Sequence, residues 1–106
     1  MVQEEEKRMK MPVVWTSLAR EQLADLHEYI AESSESAADQ QVAILLYATN
    51  NLSGFPEMGR PGRRRGTREL VVSGTPYIVA YRIRPTVIEI LAVIHGARRW
   101  PRSFGD

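Results

Sequence analysis

The 106 residues, of which 43% are hydrophobic and 25% charged, suit one globular domain with one modest core and exclude a second domain or a wholly disordered chain. The absence of cysteine and the presence of only two histidines, His27 and His95, exclude disulfides, iron–sulfur clusters, thiolate catalysis and cysteine-bound zinc, so neither a metal nor an organic cofactor is expected. The net charge of +1 conceals an asymmetry: residues 1–59 carry four basic against ten acidic side chains, a net of −6, whereas residues 60–106 carry ten arginines against three acids, a net of +7.

In chain order, residues 1–11 are charged, lack periodicity and contain Met9 and Met11, each a candidate natural start besides Met1. They read as a flexible charged leader to a single domain over residues 12–106, with a tail from about residue 97. They also lack the apolar stretch of a secretion signal, and no apolar run reaches membrane-spanning length, so a cytoplasmic protein without membrane contact is expected. Val13, Val14 and Trp15 form a short strand-like run, and Thr16 or Ser17 offers an N-cap. Ala19, Leu23, Leu26 and Ile30 then recur with helical spacing. Ser33 to Ser36 break the helix, Ser36 and Asp39 have the spacing of a capping box, and a second stripe follows at Ala38, Val42, Leu45, Thr49 and Leu52. Gly54 and Pro56 end it, which predicts an antiparallel helical hairpin.

The segment from Phe55 to Arg82 joins this helical half to a strand half. Gly59, Pro61, Gly62 and Gly66 punctuate it, predicting a turn of defined shape that has no regular hydrogen-bond ladder. Arg60, Arg63, Arg64, Arg65 and Arg68 load that turn, and every basic residue after Lys10 is arginine, the side chain suited to planar pairing with carboxylate or phosphate. Such charges either meet an acidic or nucleic-acid partner or are solvated. Beyond it, Leu70–Ser73, Tyr77–Ile83 and Val87–Ile94 read as an antiparallel meander. The expected fold is α+β with the order β-α-α-β-β-β, the first strand joining the meander and the helical hairpin covering one face of a small, mainly antiparallel sheet. Strict alternation in the last strand puts Ile88, Ile90, Ala92 and Ile94 on one face and Val87, Glu89, Leu91 and Val93 on the other. Two helices cover only one face, so the other is solvated, shielded by the tail around Trp100 and Phe104, or covered by another chain. Tyr77, Tyr81 and Trp15 fit core positions. Arg68 and Arg82 have Glu69 and Glu89 as competing ion-pair partners. Trp100, after Arg98 and Arg99, either anchors the tail or stacks on a partner.

Four motifs stand in order: Phe-Pro-Glu-Met-Gly-Arg at 55–60, Arg-Glu-Leu at 68–70, Gly-Thr-Pro-Tyr-Ile-Val-Ala-Tyr-Arg at 74–82, and Ile-Leu-Ala-Val-Ile-His-Gly-Ala-Arg at 90–98. With them the chain resembles, from about Val13 to Pro101, the ParE/RelE superfamily of toxin–antitoxin toxins, and within it the ParE-like branch of plasmid-stabilisation proteins. The resemblance implies the RelE/ParE-like fold and a hetero-oligomer with a cognate ParD-like antitoxin. In that complex the antitoxin's helical C-terminal segment holds the toxin, and its ribbon-helix-helix N-terminus binds operator DNA, which the toxin meets only through it. It further implies that the free toxin inhibits DNA gyrase, with Arg60, Arg63, Arg64, Arg65, Arg68, Arg82, Arg98, Arg99 and Trp100 as candidates for target or antitoxin binding. The alternative is a RelE-like ribosome-dependent mRNA endoribonuclease, for which His95, Arg68 and Arg82 would be the catalytic candidates. RelE-type ribonucleases commonly carry a basic residue inside the strand where this chain has Tyr77-Ile-Val-Ala-Tyr, and a Tyr or His-Tyr close to the C-terminus where it has His95-Gly-Ala-Arg, so the chemistry of RNA cleavage is poorly supplied.

Overall fold

The computed structural model describes residues 11–98, 100, 103 and 104. Strand β1 (Val13–Trp15) leads into helices α1 (Ser17–Ala31) and α2 (Glu35–Asn50). Two short 3-10 turns, Asn51–Ser53 and Pro56–Met58, then carry the chain to β2 (Arg60–Pro61), β3 (Arg68–Val71), β4 (Tyr77–Ile83) and β5 (Ile88–His95). The strands form one sheet in the order β1-β5-β4-β3-β2, in which only the β1–β5 pairing is parallel. The expected fold class is the one observed.

The helical stripes face the core. Ala19, Leu26, Leu45 and Leu52 are buried against Leu70, Val79, Tyr81, Ile88, Ile90 and Val93, with Leu23, Ile30 and Val42 packed at the margin. Each leucine, isoleucine or valine among them that is removed from water contributes about 1.5–3 kcal/mol. Thr49 sits in this stripe without a polar penalty because its hydroxyl donates to the carbonyls of Leu45 and Leu46, at 3.0 and 3.1 Å. Met11, which the sequence places in the leader, packs against the same core. Residues 1–10 lie outside the described residues.

Strand β1 covers only part of the edge of β5, and two side chains meet backbone groups of β5 beyond it. Thr16 caps α1 by accepting from the Ala19 N–H and donates its hydroxyl to Leu91 O at 3.3 Å. Gln22 accepts from the Val93 N–H at 2.8 Å. Helix α1 is therefore fastened to the sheet through backbone groups that would otherwise be unpaired.

Three sequence expectations need correction. The second helix is capped by Ser34, whose hydroxyl accepts from Ala37 N at 3.1 Å, and not by the Ser36–Asp39 pair; Ser36 already lies inside the first turn. The basic turn does carry a ladder, because Arg60 and Pro61 pair with Glu69 and Arg68. Most consequentially, the alternation of β5 breaks. Ala80 pairs with Ala92 but Tyr81 pairs with Ile90, leaving Leu91 as an extra residue in a bulge. Ile88, Ile90 and Val93 consequently face the helices, whereas Leu91, Ala92 and Ile94 face the other side with Ala80.

The cap assignment is directly testable. Ser34→Ala should cost about 1 kcal/mol of stability by losing the cap, whereas Ser36→Ala should stay within about 0.5 kcal/mol of the parent. Urea unfolding followed by circular dichroism measures both, and equal losses would remove Ser34 from its role.

Candidate functional site

The basic turn is built on a tyrosine that the sheet buries completely. Tyr81 in β4 is 0% exposed. Its hydroxyl donates to Pro56 O at 2.6 Å and accepts from Gly59 N at 2.9 Å, clamping the Phe55–Gly59 segment to the core. Gly59 has ordinary backbone angles, so its requirement is space: a Cβ there would stand 2.8 Å from the Tyr81 ring and 2.9 Å from Glu69 O. Arg68 adds a second brace, its guanidinium donating to the carbonyls of Glu57 and Gly59.

Glu69 organises the arginines around it. Its side chain is 3% exposed and accepts from Arg60 Nη2 at 3.2 Å and from the backbone N–H of Arg63 at 2.8 Å, with Arg63 Nε at 3.8 Å. A carboxylate buried this far is tolerated because cationic and N–H donors surround it. The tip closes through Gly62 N to Thr67 O at 2.8 Å and Thr67 Oγ1 to Arg64 O at 2.6 Å, with Gly66 in the left-handed region at φ 77°. Arg63 and Arg64 reach back to the tail: their guanidinium carbons lie 3.8 Å from the Trp100 ring centroid and 5.1 Å from that of Phe104. Arg65 points to solvent.

A second polar cluster lies at the opposite end of β4. A groove of about 880 Å³ between the helices and the sheet is lined by Gln22, Asp25, Tyr29, Tyr77, His95 and Arg98, among others. Tyr77 and His95 meet edge to face, with centroids 5.7 Å apart. His95 Nδ1 accepts from Ala97 N at 3.1 Å, which in the neutral ring puts the proton on Nε2. Burial pushes the Tyr77 hydroxyl above its ordinary pKa of 10.0, Arg98 opposes that and Tyr29 adds to it. Sequence reading missed Gln22, Asp25 and Tyr29. Their i, i+3, i+7 spacing places them beside the apolar stripe of α1, which is the signal that would have found them.

The structure therefore divides the candidate residues between two ends. Arg60, Arg63, Arg64, Arg65 and Arg68 gather at the turn, with Trp100 on Arg63. Arg82 is held by Glu89 at 2.9 Å. His95 and Arg98 line the groove, and Arg99 lies outside the described residues. The catalytic trio His95, Arg68 and Arg82 does not converge. His95 pairs with Tyr77 and Arg68 with Tyr81. Four residues of strand separate those rows, roughly 13 Å, and acid–base work on one phosphate needs groups within about 3 Å of it.

Comparison with known proteins places this geometry. The family model described as the ParE toxin of the type II toxin–antitoxin system parDE matches residues 13–100. A candidate toxin of Sinorhizobium fredii, Y4kP, is 42% identical over 88 residues, covering 83% of this chain and 91% of the relative. Toxin RelE2 of Caulobacter vibrioides is 35% identical over 86 residues, covering 81% and 96% respectively. Among solved structures, a chain of the chromosomal ParDE system of P. aeruginosa superposes with a TM-score of 0.74 at 22% identity, covering 82% of this chain and 97% of that one. A chain of the RelBE2 toxin–antitoxin complex of Mycobacterium tuberculosis gives 0.55 at 28% identity, covering 82% and 92%.

The Tyr81 clamp generates a prediction with two parts. Tyr81→Phe leaves Gly59 N–H and Pro56 O without their partner and should cost about 1–2 kcal/mol, lowering Tm by about 5–15 °C. Burial also raises the Tyr81 pKa above its ordinary 10.0, with Glu57 adding and the Gly59 N–H and Arg68 opposing. The unfolded chain thus releases this proton first, so stability is intact below pH 10.0 and falls as pH rises from there through the folded-state value. Denaturant titrations of both proteins across that range should show a shallower alkaline fall in the variant. An unchanged Tm would deny the clamp its role.

Proposed function

Since the chain belongs to the ParE toxin family of type II toxin–antitoxin systems, we propose that it is a toxin which inhibits DNA gyrase when free and is silenced by a cognate antitoxin. The observation that carries the gyrase reading is the separation of His95 from the arginines of the turn. Inhibition by binding needs only a complementary surface, and the turn supplies one: a braced hairpin presenting guanidinium groups. RNA cleavage by 2′-OH attack needs a base, an acid and cations around one phosphate. A cytoplasmic location accords with a gyrase target, and no helix among the described residues is long and apolar enough to cross a membrane.

The antitoxin is proposed to be ParD-like, a ribbon-helix-helix protein that binds operator DNA and holds the toxin through a helical C-terminal segment. The groove beside His95 suits such a segment. Leu26, Ile30 and Val93 offer an apolar floor, Tyr29 stands 65% exposed at its wall, and Arg98 is a cation for an acidic side chain. The Tyr29→Ala, Arg98→Glu double variant should lose copurification with the antitoxin and become harder to neutralise, while its circular dichroism matches the parent. Full retention of the complex would put the antitoxin elsewhere.

A ribonuclease is the second reading, favoured by two observations. His95, Tyr77 and Arg98 share the groove, and relatives bear the RelE name. The two readings part experimentally. Antitoxin-free protein should inhibit gyrase supercoiling, induce the DNA-damage response and leave ribosome-bound mRNA intact. His95→Gln should keep its toxicity, because a lost acid–base group would lower a cleavage rate by about 10²–10⁴-fold but leaves a binding surface almost unchanged. Cleavage of mRNA in the ribosomal A site by the parent, abolished in His95→Gln, would establish the ribonuclease.

A further inference from the structure

The outer face of the sheet is buried although the helices reach it only through Leu18, in the first turn of α1. Ala80, Leu91, Ala92 and Ile94 are each no more than 5% exposed. What covers them is Phe104, itself buried, with Trp100 and Leu18 packed alongside. The two tail rings are gripped in turn by the basic turn, through Arg63 over Trp100 at 3.8 Å and Arg64 over Phe104 at 5.1 Å. Those arginines project from a hairpin already braced from within, since the buried Glu69 holds the Arg63 N–H and Thr67 closes on the Arg64 carbonyl.

One group works against this closure. The indole Nε1 of Trp100 is buried and has no hydrogen-bond partner among the described residues. A buried donor without an acceptor disfavours the arrangement that buries it, and tryptophans in protein interiors ordinarily find one. Ring burial and the two cation–π contacts hold the tail down, and the indole N–H gains a hydrogen bond when the tail lifts.

We propose that Trp100 and Phe104, with Arg63 and Arg64, form a releasable clasp that hides the outer sheet face of the free chain. Closed, the clasp keeps the chain's own aromatic pair on Ala80, Leu91, Ala92 and Ile94. Open, it uncovers that strip and frees the Trp100 N–H. Arg63 and Arg64 are then positioning residues that act through the tail, and Arg65 is the turn arginine that faces outward. The clasp is a property of the chain alone and holds whichever target the toxin has.

Trp100 reports on it directly. In a Trp15→Phe background Trp100 is the sole tryptophan, and Arg63→Gln with Arg64→Gln should red-shift its emission, raise its acrylamide quenching severalfold and increase binding of a hydrophobic dye, with an unchanged far-ultraviolet spectrum. Arg65→Gln, which removes one of the same charges outside the clasp, should leave all three readings at the parent's values. If Trp15→Phe fails to fold, ¹⁹F NMR of the 5-fluorotryptophan-labelled chain serves instead, with the Trp100 resonance assigned by its loss in Trp100→Phe and followed for solvent exposure. A Trp100 as protected in the double glutamine variant as in the parent overturns the proposal, and so does an equal effect of Arg65→Gln.

Discussion

The hydrogen bonds of one hydroxyl, that of Tyr81, tie the two halves of the molecule together. The helical hairpin ends in a segment with no long-range ladder of its own, and the sheet begins only after a turn full of like charges. Between them the Tyr81 hydroxyl, fixed in the core by its strand, takes the Gly59 N–H and gives its proton to Pro56 O. Once that segment is held, β2 can pair with β3, and Glu69 is brought inward to meet Arg60 and the Arg63 backbone. The constraint propagates outward from there. Arginines that would otherwise repel one another across a loop are spaced by a buried carboxylate on one side and by aromatic rings on the other.

A second constraint is the extra residue in β5. A regular strand would have alternated through Leu91 and sent Ala92 and Ile94 toward the helices. The bulge instead preserves Ile88, Ile90 and Val93 for the main core and gathers Leu91, Ala92 and Ile94 on the far side. The sheet thereby becomes a two-sided element in a chain whose helices, apart from Leu18, serve one side. The tail rings are the chain's own remedy, and the turn arginines hold them, so the bulge links the core to the basic surface.

How much of this was legible in the residues depended on whether the determining interaction was local. Helical stripes, strand runs and the order of elements rest on periodicity, and Ala19, Leu26, Ala38, Leu45 and Tyr77–Ile83 fall where it put them. The cap at Ser34 was missed because four residues, Ser33 to Ser36, include three serines with equal claims, and only the geometry of Ala37 N separates them. The bulge was invisible because alternation gives no sign of an inserted residue when its neighbours on both faces are apolar. At the candidate site the cluster of turn arginines was legible as composition, but the engagement of Arg63 and Arg64 with aromatic rings far along the chain was not. The groove residues Gln22, Asp25 and Tyr29 were passed over because polar positions beside an apolar stripe ordinarily face water.

The division of charge now has a structural meaning. The acidic excess belongs to the helical half, and the arginines of the second half are mostly committed within the protein: Arg60 and Arg63 to Glu69, Arg68 to backbone carbonyls, Arg82 to Glu89. A surface so internally paired attracts less by its net charge than by its shape, since these four guanidinium groups are oriented before any partner arrives. Pre-orientation lowers the ordering cost of association and favours recognition of one matching surface over general adhesion to polyanions. A phosphate-transfer site would instead concentrate unpaired cations and proton donors around a single point. Arg60, Arg63 and Arg64 of the turn stand instead in fixed ion pairs and ring contacts, and the groove that holds His95 and Arg98 lies at the other end of β4.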